Sequence, residues 1–267
     1  MPFVQVRDIN VYYEVAGNGR RLLFIGGTGG DLRVKPNIFD APIARQFELL
    51  TYDQRALGQT ERPSTAPTMA DYADDAAALL DALGWDRCGV LGVSFGGMVA
   101  QELALRHPER VDRLVLACTS SGGPGGSSYP LHELADTPAE ERARMMIPLN
   151  DTRMATLEQT DPPRYQRVLQ MVIDGLSAGA GDAGRAAGQQ MQLEARREHD
   201  THVRLPQLRL PVLICAGRYD AIAPLENSEA LHAQIAGSRL EVFEGGHLFM
   251  IQDKRAYPAM AEFLLGS

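Results

Sequence analysis

The sequence is short of positive charge: 26 Lys and Arg stand against 34 Asp and Glu, a formal net charge of −8. That balance argues against a broad basic face for nucleic acid or an anionic lipid surface. Cysteine is scarce too. Cys88, Cys118 and Cys215 follow no metal-ligand spacing and are too few for a disulfide scaffold. Each lies in or beside an apolar run (DRCGVLGV, LVLACTS, PVLICAG), the setting of a buried reduced thiol. No window approaches the roughly 20 apolar residues of a membrane helix. The opening MPFVQVRDINVYYEV lacks the basic start and apolar run of a secretory signal. These absences point to a cytoplasmic setting with neither membrane nor nucleic acid as partner. Phosphate-loop spacing, G-x-x-x-x-G-K-[ST], is missing, and the glycines at 26–30 do not fit the G-x-G-x-x-G dinucleotide pattern. No cofactor or metal is implied.

What is present reads as one α/β unit. Hydrophobic residues make up 45% and charged residues 22% of 267, ordinary for a globular chain of this length. Residues 3–7 and 11–15 read as an opening hairpin with its turn at 8–10. Apolar runs at 22–25, 47–52, 88–93, 111–117, 212–216 and 240–243 read as strands. Helical patterns fall at 68–83, 95–106, 225–235 and 257–265. Thr68 and Asp71 form a capping pair, Gly84 is a C-terminal stop, and Pro108 ends the helix after His107, which is placed to cap carbonyls. Strands apolar throughout, alternating with helices, imply a mostly parallel sheet covered on both faces. The rhythm breaks at 122–207, which opens on Gly122-Gly123-Pro124-Gly125-Gly126 and offers helices at 138–146, 163–176 and 184–198. It is expected to be a helical insertion into a core formed by 1–121 and 208–267. Its methionines, Met145, Met146, Met154, Met171 and Met191, suit either core filling or an apolar pocket.

The stretch VLGVSFGG, 90–97, sets Ser94 between a strand and a helix within G-x-S-x-G. Such a turn needs small neighbours and lifts the hydroxyl clear of the sheet near a helix N-terminus. A serine needs a base. Of six histidines, His247 lies in the loop Glu244-Gly245-Gly246-His247 after the last strand, on the sheet edge where Ser94 sits. A carboxylate must fix the tautomer of that base. Asp220, in Gly217-Arg218-Tyr219-Asp220, lies just past another strand, whereas Asp53 and Arg55 read as structural anchors. Acyl transfer also needs oxyanion donors. The backbone N–H groups of Phe95 and Thr28 are the candidates, the latter in the glycine loop 26–30.

With these residues in place, the chain resembles the α/β-hydrolase fold family over nearly its whole length. The matching pieces are the glycine loop, Tyr52-Asp53-Gln54-Arg55, the Gly92 to Gly97 elbow, His107-Pro108-Glu109-Arg110-Val111, Gly217-Arg218-Tyr219-Asp220 and Gly246-His247. Around Ser94-Phe95-Gly96-Gly97-Met98 it is similar to 3-oxoadipate enol-lactonases, small carboxylesterases and cofactor-free haloperoxidases. It departs at Gly26, where relatives often carry a loop-bracing His, and at Ala56, where they often carry Gly. The resemblance implies a cofactor-free serine hydrolase of a small-molecule ester or lactone, with Ser94, His247 and Asp220 as its triad and the insertion as a cap. C–C hydrolysis of a vinylogous diketone and perhydrolysis are alternatives on the same triad. A ligand receptor retaining the fold is the non-enzymatic one.

Overall fold

The computed structural model describes residues 2–134, 137–177 and 183–266. Parts of the expected insertion, 135–136 and 178–182, lie outside them. Eight strands form one sheet: β1 (Phe3–Val6), β2 (Ile9–Ala16), β3 (Arg20–Ile25), β4 (Phe47–Tyr52), β5 (Cys88–Val93), β6 (Val111–Ala117), β7 (Val212–Gly217) and β8 (Arg239–Phe243). Their spatial order is β1-β2-β4-β3-β5-β6-β7-β8. The pairings β1–β2 and β2–β4 are antiparallel and the rest are parallel. The opening turn falls at Arg7-Asp8, not at 8–10, because Ile9 and Val11 alternate into the core and draw residues 9 and 10 into β2.

Adjacent residues on the central strands serve opposite faces of the sheet. Leu23, Val90, Leu114 and Ile214 pack with α1 (Met69–Ala82), α2 (Phe95–Arg106) and Leu231 of α7 (Leu225–Gln234). Their neighbours Leu22, Leu91, Val115 and Leu213 pack beneath α9 (Ala256–Leu265) through Met260, Phe263 and Leu264. That double burial is why these strands are apolar throughout. Thr68 and Asp71 form the reciprocal cap of α1, and Gly84 takes φ +65° after its end.

Between β6 and β7 the chain forms α3 (Ala139–Asn150), α4 (Leu157–Thr160), α5 (Pro162–Ser177) and α6 (Ala183–Arg197). A small core of Ala143, Ile147, Leu157, Tyr165 and Leu169 holds α3 to α5 together. One short helix, α8 (Phe249–Gln252), follows β8. Among the methionines, Met154 packs on this small core while Met171 is exposed and does neither job expected of it.

Buried charges frame the sheet's loops. Arg55 makes two hydrogen bonds to Asp75, at 2.5 and 2.6 Å, and one to Asp8 at 3.0 Å. His107 does not cap carbonyls: its Nε2 lies 2.8 Å from Asp74 Oδ1, since that carboxylate on α1 is within reach and also takes Arg106. Asp53, buried at the end of β4, accepts from the Leu32 N–H at 2.8 Å and the Gln59 N–H at 2.9 Å. Burial nevertheless pushes its carboxyl up to about 6, above its ordinary 3.8. A raised folded-state value means that the folded chain binds the proton more tightly. The resulting stabilisation is full below the unfolded value and is lost as pH rises through about 6. Asp53→Asn should therefore gain on the wild type by on the order of 2 kcal/mol between pH 4 and 7. Urea unfolding of both chains at each pH checks this; parallel pH profiles would contradict it.

Candidate active site

All four loops of interest leave the carboxyl ends of parallel strands and so share one edge of the sheet. The glycine loop follows β3, Ser94 follows β5, Asp220 follows β7 and His247 follows β8. Ser94 is the N-cap of α2 and takes φ 54°, ψ −117°, a region that L residues avoid. Its N–H donates to Ala117 O at 2.8 Å, and its carbonyl accepts from the Gly97 N–H and the Thr119 hydroxyl. Close approach explains the flanking glycines. A Cβ on Gly92 would lie 2.4 Å from Gly96 O, and one on Gly96 would lie 2.0 Å from Ile25 O.

The three side chains expected to work together do meet. His247 Nε2 lies 3.1 Å from Ser94 Oγ, and His247 Nδ1 lies 2.8 Å from Asp220 Oδ2. The other Asp220 oxygen accepts the N–H groups of Ile222 at 2.8 Å and Ala223 at 2.9 Å. Those two donors aim Oδ2 at the imidazole, which leaves Nε2 as the atom able to take a proton from the serine. The Asp220 side chain is fully enclosed and that of His247 is 11% exposed.

The glycine loop lies against the serine: a Cβ on Gly27 would sit 3.5 Å from Ser94 Cβ. Among the described residues, neither the Thr28 nor the Phe95 N–H donates to a protein group. Gln54 Nε2 donates to Gly26 O at 2.9 Å, so a glutamine braces the loop where relatives often use a histidine. From α6, Gln192 Oε1 accepts the Gly29 N–H at 2.8 Å. Helix α3 braces the opposite side. Asn150 O accepts the His247 N–H at 2.6 Å, and Leu149 O accepts the Ala221 N–H at 3.0 Å. Sequence reading missed Gln54, Gln192 and the α3 carbonyls. Only Gln54 left a signal, its place just past the end of β4. Among the described residues no three His, Cys, Asp or Glu converge as metal ligands. Nor, among the described residues, is any helix long and apolar enough to cross a membrane.

The chain belongs to the α/β-hydrolase fold family, whose sequence pattern matches residues 20–169. It is 30% identical to a putative carbamate hydrolase of Caulobacter sp. (strain K31), over 96% of each chain. It is 25% identical to 3-oxoadipate enol-lactonase 2 of Acinetobacter baylyi, over 97% of this chain and 94% of that one. A hydrolase from Pseudomonas aeruginosa PA01 superposes with a TM-score of 0.78 at 29% identity, covering 99% and 98% of the two chains.

Strain at residue 94 has a measurable consequence. Glycine tolerates this backbone and alanine does not. Ser94→Gly should be more stable than Ser94→Ala by about 1 kcal/mol in urea unfolding, although both lack the hydroxyl. Equal stability would show that residue 94 carries no strain.

Proposed function

We propose that the protein hydrolyses carboxylic esters or lactones of small molecules through an acyl-enzyme on Ser94. The reading rests on the unbroken hydrogen-bonded chain from Ser94 Oγ through His247 to Asp220. His247 Nε2 takes the hydroxyl proton as Ser94 Oγ attacks the carbonyl carbon. The N–H groups of Phe95 and Thr28 receive the oxyanion, and Asp220 stabilises the imidazolium. Collapse of the tetrahedral intermediate expels the alcohol, which takes its proton from His247. Water, deprotonated by the same imidazole, then attacks the acyl-enzyme and frees the acid and Ser94. The helical segment 122–207 caps the site and selects the substrate.

The resemblance to enol-lactonases favours an ester or lactone carbonyl, and an activated serine suits either. A fluorophosphonate should add one label to the wild type and none to Ser94→Ala; equal labelling of both would refute the assignment. On a panel of acyl esters, lactones and a ring-cleavage diketone, turnover should fall on the first two groups. Turnover of the diketone alone would move the reading to C–C hydrolysis. On the ester turned over best, His247→Ala should lower kcat by about 10³-fold or more, as removal of the base does in other triads.

A further inference from the structure

A cavity of about 180 Å³ lies among Met98, Ser120, Ser128, His132, Arg196 and His199. Arg196, on α6, is 9% exposed, and among the described residues its guanidinium makes a single hydrogen bond, from Nη2 to Tyr129 O at 2.6 Å. No carboxylate pairs with it among the described residues. Arg55, buried to a similar degree, has two. An enclosed cation without a counter-charge is costly, and an anion in the cavity would offset that cost.

The wall beside it adds an independent observation. His199 is 5% exposed; its Nε2 lies 3.2 Å from Ser120 O, and its Nδ1 is buried without a partner. Nε2 beside a carbonyl carries the hydrogen, which leaves Nδ1 an empty acceptor. Burial pushes this imidazole down to about 4, so it stays neutral at physiological pH. The cavity is thus walled by an unpaired cation and a neutral imidazole, with no anionic group of the protein lining it among the described residues.

Two residues of the cavity wall, Met98 and Ser120, are tied to the backbone around Ser94. Met98 lies one turn after Ser94 on α2, and Ser120 follows Thr119, whose hydroxyl donates to Ser94 O. On α6, Gln192 accepts from Gly29 in the glycine loop, and Arg196 is one turn further along the same face, about 5–6 Å away.

We propose that Arg196 binds a free carboxylate on the substrate, so that the esters or lactones opened at Ser94 are those of short carboxylated acids. The inference rests on the hydrolase reading for its meaning but can be tested without turnover. In a Ser94→Ala background, monomethyl glutarate and methyl valerate present the same ester with and without the carboxylate. Calorimetric titration should show the half-ester binding at least about tenfold more tightly, the worth of charge-assisted hydrogen bonds. Adding Arg196→Gln should abolish the difference, and Arg196→Lys should retain part of it while guarding against a folding defect in the first variant. Undetectable half-ester binding, equal affinity for the two probes, or a preference that survives Arg196→Gln would overturn the proposal. Fluorophosphonate labelling of the wild type reports on the hydrolase reading separately, so the two can fail independently.

Discussion

The strained turn at Ser94 is the constraint around which the rest of the site is arranged. A residue at φ 54°, ψ −117° holds a conformation worth roughly 1–3 kcal/mol of strain, so its surroundings must over-determine it. They do so from both sides. The Ser94 N–H is tied to β6, and its carbonyl is tied to Gly97 and Thr119. Gly92 and Gly96 let α2 lie directly on the ends of β3 and β5, where a single methyl would meet carbonyl oxygens at 2.0 to 2.4 Å. The hydroxyl is thereby fixed at a height above the sheet that the β7 and β8 loops can reach.

Those loops are not held by the sheet alone. Backbone carbonyls at the end of α3 accept from Ala221 and His247, and a Cβ on Gly246 would lie 1.9 Å from Asn150 O. Helix α6 reaches the glycine loop through Gln192. The segment between β6 and β7 is therefore stitched to the loops on both flanks of Ser94. Motion of α3 or α6 changes the proposed base and the proposed oxyanion loop directly, with no long chain of contacts in between.

The local parts of this arrangement were legible in the sequence and the distant ones were not. Strands 47–52, 88–93 and 111–117 and helix 95–106 carry their own periodicity and punctuation, and they appear with the expected bounds. Ser94, Asp220 and His247 could be brought together because each follows a strand of a parallel sheet, and parallel strands end on one edge. Gln192 offers no such clue. It meets Gly29 across 163 residues, from a helix whose packing depends on side chains rather than on a pattern. His107 misled for a related reason: its neighbour on the chain is a helix end, but its partner Asp74 belongs to another helix.

Electrostatics give the unpaired Arg196 its weight. The chain carries a net charge of −8, which repels an anionic ligand at a distance. That repulsion is screened within about 8 Å at physiological salt, whereas a cation inside the protein acts through a much lower effective dielectric. Arg55 shows what the fold does with a buried guanidinium that it uses only as structure: it surrounds it with Asp8 and Asp75. At Arg196 the fold supplies a carbonyl, a neutral imidazole and an open volume instead. A site built in that way favours a negative group that arrives with the ligand, and Arg196 stands one helical turn from Gln192, which holds the glycine loop of the proposed oxyanion donors. Recognition of the acid end and activation of the carbonyl would then be tied together by a single helix, α6.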